Sequence, residues 1–272
     1  MNFLVRLFRS GPGPSRTSQV VAVTRAGFER PHTPGGDPDA QRRLCRGMRP
    51  SATTRLRASL VARTRFFDER VLAALSAGIG QVVILGAGYD DRALRFRSPG
   101  VRFFELDHPA TQRDKRRRLR AMRAGDPGPV LVAADFRRHD VAAVLQASGH
   151  AADQPTLFLC EGLLVYLDRP ACVRLLRAAR ASAAGGSQLA ASLATHRDGA
   201  DSARVAAIAN SRRRSSAEEP WLTILPVTAS VELLGEAGWV VDRSVDAAQL
   251  GTGAEPGRSL LVTARPATGS AI

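Results

Sequence analysis

The chain has 272 residues, 44% of them hydrophobic, which suffices for one large α/β domain with a sizeable core and requires no second domain. Its formal charge of +14 raises nucleic acid or an anionic membrane as a partner. Lys115, however, is the only lysine among 39 lysines and arginines, and that bias, with abundant alanine, glycine and proline, reads as the mark of a GC-rich genome rather than of a polyanion-binding surface.

In chain order, residues 1–18 are expected to form a mobile tail. Their first nine hold a few apolar residues interrupted by Arg6, too short a run for a signal-peptide core, and no stretch of the chain approaches membrane-span length. Residues 19–28 read as a helix and 31–38 (PHTPGGDP) as a loop. Residues 59–75 place Leu60, Val61, Phe66, Phe67, Val71, Leu72 and Leu75 at helical spacing, which predicts a helix burying one broad face, with Phe66 and Phe67 in the core. The run 82–85 is β-rich and free of polar residues, as a strand buried on both faces of a parallel sheet should be. Gly86 and Gly88 follow it and allow both a sharp turn and close approach of a ligand.

Downstream, 93–96 reads as a short helix and 101–106 as a second strand leading through Glu105 to Asp107. Pro109 suits the first turn of a helix over 110–124, in which Asp114 and Arg118 are spaced to pair. The Arg116-Arg117-Arg118 run in that helix reads as a solvated face, since no aromatics interleave with it. A loop over 125–129 precedes a third strand, 130–134, that ends at Asp135. A helix over 141–147 precedes a fourth strand, 156–160, that ends at Glu161. Asp168 is placed to cap a helix over 170–184, and Gly185-Gly186 to stop it. The fifth strand, 188–193, leads to His196, read as an ordinary loop residue and not as an acid or base. Residues 198–219 are polar and read as a mobile lid, with Trp221 at its end. A helix at 231–234 and strands at 239–242 and 259–264 complete the pattern. Cys45, Cys160 and Cys172 have no metal-type spacing; the expectation is a protein of the reducing cytoplasm with no metal site.

In an open parallel sheet, ligands bind beyond the carboxyl ends of the strands. The four successive strand ends therefore gather Asp90 or Asp91, Glu105 or Asp107, Asp135 and Glu161 around one crevice. Carboxylates there repel a pyrophosphate, and Asp91 occupies the position of the third glycine in the dinucleotide pattern. A cationic ligand with a ribose diol suits them better, and S-adenosylmethionine has a sulfonium, an ammonium and that diol.

LGAGYDDRALRF, FFELDHPATQRDKRRRL, AADFRRHD and LFLCEGLLVYL resemble the successive motifs of the leucine carboxyl methyltransferase family, in particular its actinobacterial branch, and RASLVARTRFFDE upstream is similar as well. The resemblance runs from about residue 55 to 181 and is looser over 16–39 and 219–265. It implies a Rossmann-like class I methyltransferase fold: a mostly parallel seven-stranded sheet with one antiparallel member, helices on both faces and a small helical lid at about 196–222. Residues 1–50 would then be a tail and cover segment on a domain over 51–272.

The resemblance also implies S-adenosyl-L-methionine as cofactor, with the following roles. Gly86, Ala87 and Gly88 form the turn against the cofactor, and Arg63, preferred over Arg65, binds its carboxylate. Asp107 accepts from the ribose, Asp135 and Phe136 contact adenine, and Glu161 meets the ammonium rather than a structural arginine. Arg92 is expected to hold the turn by pairing with Asp90 or Asp135. Methyl transfer to an oxygen, a carboxylate of a small natural product or polyketide, is the implied activity. A carboxylate is already ionised at neutral pH, so no base is obligatory and no catalytic residue is singled out; a hydroxyl acceptor would give His196 more weight. Three readings stand beside it: a protein C-terminal carboxylate as acceptor, a nicotinamide-dependent oxidoreductase on a similar fold, and a basic nucleic-acid binder.

Overall fold

The computed structural model describes residues 13–49, 54–196, 219–251, 254 and 258–268. The expected lid therefore falls almost wholly outside the described residues, as do the first 12 residues of the expected tail.

Alternation decides the architecture. Along β1 (Gln81–Leu85), Val83 and Leu85 enter one core, and Val82 and Ile84 the other. β4 (Thr156–Cys160) divides Phe158 and Cys160 from Leu157 and Leu159 in the same way. A strand apolar on both faces needs helices on both, and the chain supplies them. α6 (Val141–Ala147), α7 (Arg169–Ala181) and α8 (Val227–Glu236) cover one face, while α3 (Thr54–Ser76) covers the other with Phe67 and Val71, both fully buried.

β2 (Arg102–Asp107), β3 (Val130–Ala133), β5 (Gln188–His196), β7 (Trp239–Asp246) and β8 (Ser259–Pro266) join β1 and β4 in the order β3-β2-β1-β4-β5-β8-β7. β8 runs antiparallel to both neighbours, and the remaining pairs are parallel. That is the expected seven-stranded sheet with one antiparallel member, to which β6 (Leu225–Pro226) adds a two-residue pairing beside the end of β5. The order turns outward in both directions from β1, so a crevice opens beyond the carboxyl ends of β1, β2 and β4.

Local chemistry moves several boundaries. The first helix, α1 (Arg16–Arg25), begins three residues before the expected start because the Ser15 hydroxyl accepts from Ser18 N at 3.1 Å and caps it. Asp168 caps α7, accepting from Ala171 N at 2.8 Å, but the helix ends at Ala181, before the glycine pair. α5 (Pro109–Ala121) starts at the proline and is capped by His108. β5 and β7 extend past their predicted ends, β5 by pairing Ala194 with β8 and Thr195 and His196 with β6, β7 by its ladder to β8.

Candidate functional site

The turn after β1 is built from two left-handed glycines, Gly86 at φ 69° and Gly88 at φ 50°. Ala87 N donates to Leu106 O at 3.0 Å, which ties the turn to β2. A Cβ on Gly86 would lie 3.0 Å from the Leu163 side chain, and one on Gly88 would lie 2.8 Å from Ser18 Cβ. Gly88 is therefore required by its conformation and by α1, which packs across the turn. At the end of β2, Asp107 faces the turn. Its Oδ2 accepts from Gly88 N at 2.6 Å and its Oδ1 from His108 N at 2.6 Å. Burial pushes the Asp107 carboxyl up, against the lowering effect of those two donors and of Lys115. With one donor on each oxygen, the carboxylate keeps lone pairs for two further donors such as a vicinal diol.

At the end of β3, Asp135 Oδ1 accepts from Arg137 N at 3.0 Å, and Phe136 is half-buried against the core beneath α6 and α7. These two neighbours line the same edge as Asp107, one strand further out.

Around β1 and β4, the structure corrects the picture of a crevice rimmed by bare carboxylates. Asp90, Asp91 and Glu161 are all paired with arginines. Arg92, 1% exposed, donates to Asp68 through Nε at 2.7 Å, to Asp90 through Nη1 at 2.6 Å and to Glu161 through Nη1 at 2.8 Å. It pairs with Asp90 as expected and has nothing to do with Asp135. Glu161 Oε1 also accepts from Arg63 Nε at 2.8 Å and from Arg25 Nη2. Asp91 takes a two-pronged contact from Arg30, at 2.9 and 2.7 Å, and a third from Arg95. Burial works against the charge of Glu161, yet Arg25, Arg92 and Arg63 outweigh it and hold the carboxyl well below the usual range; Arg95, Arg30 and Arg92 do the same for Asp91.

Four carboxylates, Asp68, Asp90, Asp91 and Glu161, thus meet five guanidiniums, Arg25, Arg30, Arg63, Arg92 and Arg95. The cluster carries one positive charge in excess. Arg63 is where that excess is offered: its Nε is engaged by Glu161, while its terminal nitrogens lie within 3.4 Å of where a Cβ on Gly162 would stand and make no hydrogen bond among the described residues. Gly162, at φ 64°, leaves that space open. The arrangement suits an anionic group beside Arg63. Arg65 is exposed on the opposite side of α3.

The sequence pattern did not single out Arg25, Arg30, Arg95 or Asp68. An acid at the end of a buried strand demands a cation, but nothing in the spacing names one that comes from α1, 136 residues before Glu161. A weak signal was present in α3: Asp68 lies on the same helical stripe as Thr64 and Val71, where a charge has no place unless it is paired. Tyr166 is half-buried, with its hydroxyl hydrogen-bonded to the side chains of Trp221 and Thr17, and burial pushes that hydroxyl up. Tyr166 thereby joins α1 to the segment that follows the expected lid. His196 ends β5, half-buried. No helix among the described residues is long and apolar enough to cross a membrane.

Comparison with known proteins agrees with this geometry. The chain is 36% identical over 189 residues to a protein of Streptomyces avermitilis provisionally named an S-adenosyl-L-methionine-dependent methyltransferase, an alignment covering 68% of this chain and 63% of the relative. It is 36% identical over 206 residues to a similarly named protein of Parafrankia, covering 67% and 64%. The chain therefore spans a little under two thirds of the length of these relatives. Among solved structures, a provisionally named methyltransferase from Thermobifida fusca YX superposes with a TM-score of 0.62 at 18% identity, covering 95% of this chain and 97% of that one. Magnesium protoporphyrin IX methyltransferase from Synechocystis, solved with bound SAH, gives 0.54 at 13% identity, covering 85% and 94%. Those two likenesses establish the class I methyltransferase fold. The sequence profile of leucine carboxyl methyltransferases matches residues 22–180, which takes in the end of α1, the glycine turn, Asp107, Asp135 and Glu161, and by that match over more than half its length the chain belongs to the leucine carboxyl methyltransferase family.

Proposed function

We propose that the protein binds S-adenosyl-L-methionine and transfers its methyl group to an oxygen, a carboxylate of a small molecule. The observation that carries the reading is Asp107, a buried carboxylate pinned by Gly88 N and His108 N with lone pairs left on both oxygens. A ribose diol supplies the two donors those lone pairs lack.

The remaining residues fit the cofactor. Gly86, Ala87 and Gly88 form the turn that faces it, the missing Cβ atoms of the two glycines making room for Leu163 and Ser18. Arg63 offers its free guanidinium edge to the cofactor carboxylate, and the single excess charge of the cluster favours an anion there. Glu161 has about four lone-pair sites, of which Arg25, Arg63 and Arg92 use three. The fourth, on Oε2, is left for the cofactor ammonium, so Glu161 orients Arg63 while also receiving a ligand. Asp135 accepts from the adenine amine, and Phe136 packs beside the ring.

When bound, the cofactor supplies an electrophilic methyl group. The protein's part is alignment and exclusion of water. A carboxylate acceptor is ionised at neutral pH, so no side chain has to remove a proton, and the rate comes from holding the acceptor in line and dry. Thr17, Tyr166 and Trp221 close the acceptor side. A small-molecule acceptor, from natural-product metabolism, is preferred over a protein C-terminus.

Calorimetric titration with S-adenosylmethionine and S-adenosylhomocysteine tests the binding, with the Gly88→Asp, Glu161→Ala protein as control. Micromolar binding that the control loses supports the site, and transfer of labelled methyl to a panel of small carboxylic acids supports the acceptor class. Absence of binding to the wild-type protein refutes the cofactor assignment. Binding without transfer to any carboxylic acid, but with transfer to hydroxyl compounds, refutes the acceptor class.

A further inference from the structure

Arginine fills nearly every basic position of this chain, exposed or buried, and the single exception is Lys115. On α5 its neighbours Arg113, Arg116 and Arg117 are exposed, whereas Lys115 is 1% exposed. Its Nζ donates to Asp90 O at 2.7 Å and pairs with the carboxylate of Glu105 on β2, itself 1% exposed. One helical turn earlier, Gln112 Nε2 donates to Glu105 O at 2.6 Å, which fixes α5 against β2 at this level. A compact ammonium with three donors fits between a carbonyl and a carboxylate in a closed space, and a planar guanidinium does not.

Asp90 is the last residue of the turn Ala87–Asp90, closed by Asp90 N on Ala87 O at 2.8 Å. That turn contains Gly88, whose N–H holds Asp107. Glu105 and Asp107 lie two residues apart on β2, so Lys115 joins the strand that carries Asp107 to the turn that faces it.

We propose that Lys115 is a positioning residue for the nucleoside end of the site: its ammonium, seated between the Asp90 carbonyl and the Glu105 carboxylate, sets the spacing between the glycine turn and β2 at which Gly88 N and Asp107 meet. The proposal rests on the cofactor reading above. The charges facing Lys115 are Asp90 from the turn and Glu105 and Asp107 from β2; Asp114 on α5 is turned to Tyr89 and Arg118. Asp107 also faces Glu219, so without Lys115 it has only carboxylates and no ammonium near it, and it takes up a proton more readily.

The test compares wild type, Lys115→Met, Glu105→Gln and the Lys115→Met, Glu105→Gln double variant by calorimetric titration with S-adenosylhomocysteine from pH 6 to 8.5. The double variant removes both charges, so it leaves no buried charge unpaired. The expected result is binding about tenfold or more weaker in both proteins lacking Lys115, as a misplaced turn requires. In Lys115→Met the loss deepens as pH falls. Glu105→Gln keeps the ammonium on Asp90 O and loses less.

Wild-type affinity in the double variant, within about twofold, overturns the proposal by showing that Lys115 only neutralises Glu105. Should the double variant not fold, chemistry on the wild-type protein decides. Lys115 is the single lysine, so an amine-acylating reagent followed by peptide mapping reports its exposure, and saturating S-adenosylhomocysteine slows its labelling if the turn and Lys115 move together. A labelling rate indifferent to the ligand overturns the proposal. No binding to wild type defeats the cofactor reading itself, and the proposal with it.

Discussion

Arg92→Met removes the cation on which three buried carboxylates depend. Arg92 bridges Asp68, Asp90 and Glu161 at 2.6–2.8 Å, all four side chains at most 4% exposed, with its guanidinium 5.6 Å from the Phe67 ring centre. Methionine keeps the apolar stem and leaves the carboxylates short of one charge. Removing one partner of a buried ion pair costs about 3–5 kcal/mol. At ~2–4 °C per kcal/mol for a chain approaching this size, the melting temperature at pH 8 falls by roughly 6 °C at the least.

The pH dependence gives the sign. In the wild type, Glu161 sits well below its unfolded value of about 4.3, so its contribution is complete above that pH and is lost only as pH falls through the depressed folded value. In the variant, Glu161 keeps only Arg25 and Arg63, and the folded protein makes up the lost charge by binding protons. The gap in melting temperature between the two proteins therefore narrows from pH 8 to pH 5. Thermal denaturation followed by circular dichroism across that range is the assay. A gap under about 2 °C at pH 8, or one that does not change with pH, would mean that Arg92 does not neutralise this cluster.

Gly88→Ala forces a Cβ to 2.8 Å from Ser18 Cβ at φ 50° and is expected to cost about 1–3 kcal/mol, with α1 lifted and cleaved faster by limited proteolysis. Adding Ser18→Gly removes the clash but not the φ strain, so the recovery should be partial; no recovery refutes the contact. Asp107→Asn turns an amide towards one of two N–H donors and should weaken S-adenosylhomocysteine binding about tenfold or more, read by calorimetry, while unchanged affinity would remove the ribose role. Burial raises the Glu105 carboxyl to about 7 despite Lys115, so folding takes up a proton between about pH 4.3 and 7 and the Glu105 contribution declines by ~4 kcal/mol as pH rises through that window. The double variant lacking Glu105 and Lys115 loses that decline, and urea unfolding at pH 5 and 8 shows whether it does.

The sheet was legible because each strand announces itself locally. Residues 82–85 and 157–160 are unbroken apolar runs followed at once by a turn or an acid, and every helix that packs on them carries its own periodicity. Caps were legible where a single residue does the work, as with Asp168. The extension of β5 to His196 and of β7 to Asp246 was not, because those residues become strand only by pairing: Ala194 with β8, Thr195 and His196 with β6, and the end of β7 with β8. Start signals also compete: Ser15 caps α1, although the glycine- and proline-rich stretch before it made 1–18 read as tail.

For the site, the sequence displays acids but not their partners. Asp90 and Arg92 are two residues apart and their pairing could be anticipated, whereas Arg25 and Glu161 are separated by 136 residues and Arg30 and Asp91 by 61. In a chain so rich in arginine, the identity of a residue carries little information about which arginine a buried carboxylate will take. The consequence reaches the functional argument itself. Counting strand-end acids suggests a negative crevice that selects a cationic ligand, but Asp90, Asp91 and Glu161 sit in a cluster with one guanidinium to spare. What distinguishes a ligand-accepting carboxylate is its unfilled lone pairs, and on that criterion Asp107, with two donors, stands first, while Glu161 and Asp91, with three each, keep one site apiece, that of Asp91 on the more deeply buried side chain. Selection of the proposed cofactor then rests on a diol at Asp107 and an anion at Arg63 more than on attraction of positive charge, and substitutions at those two positions should weaken binding more than Asp91→Asn, whose cost falls on stability.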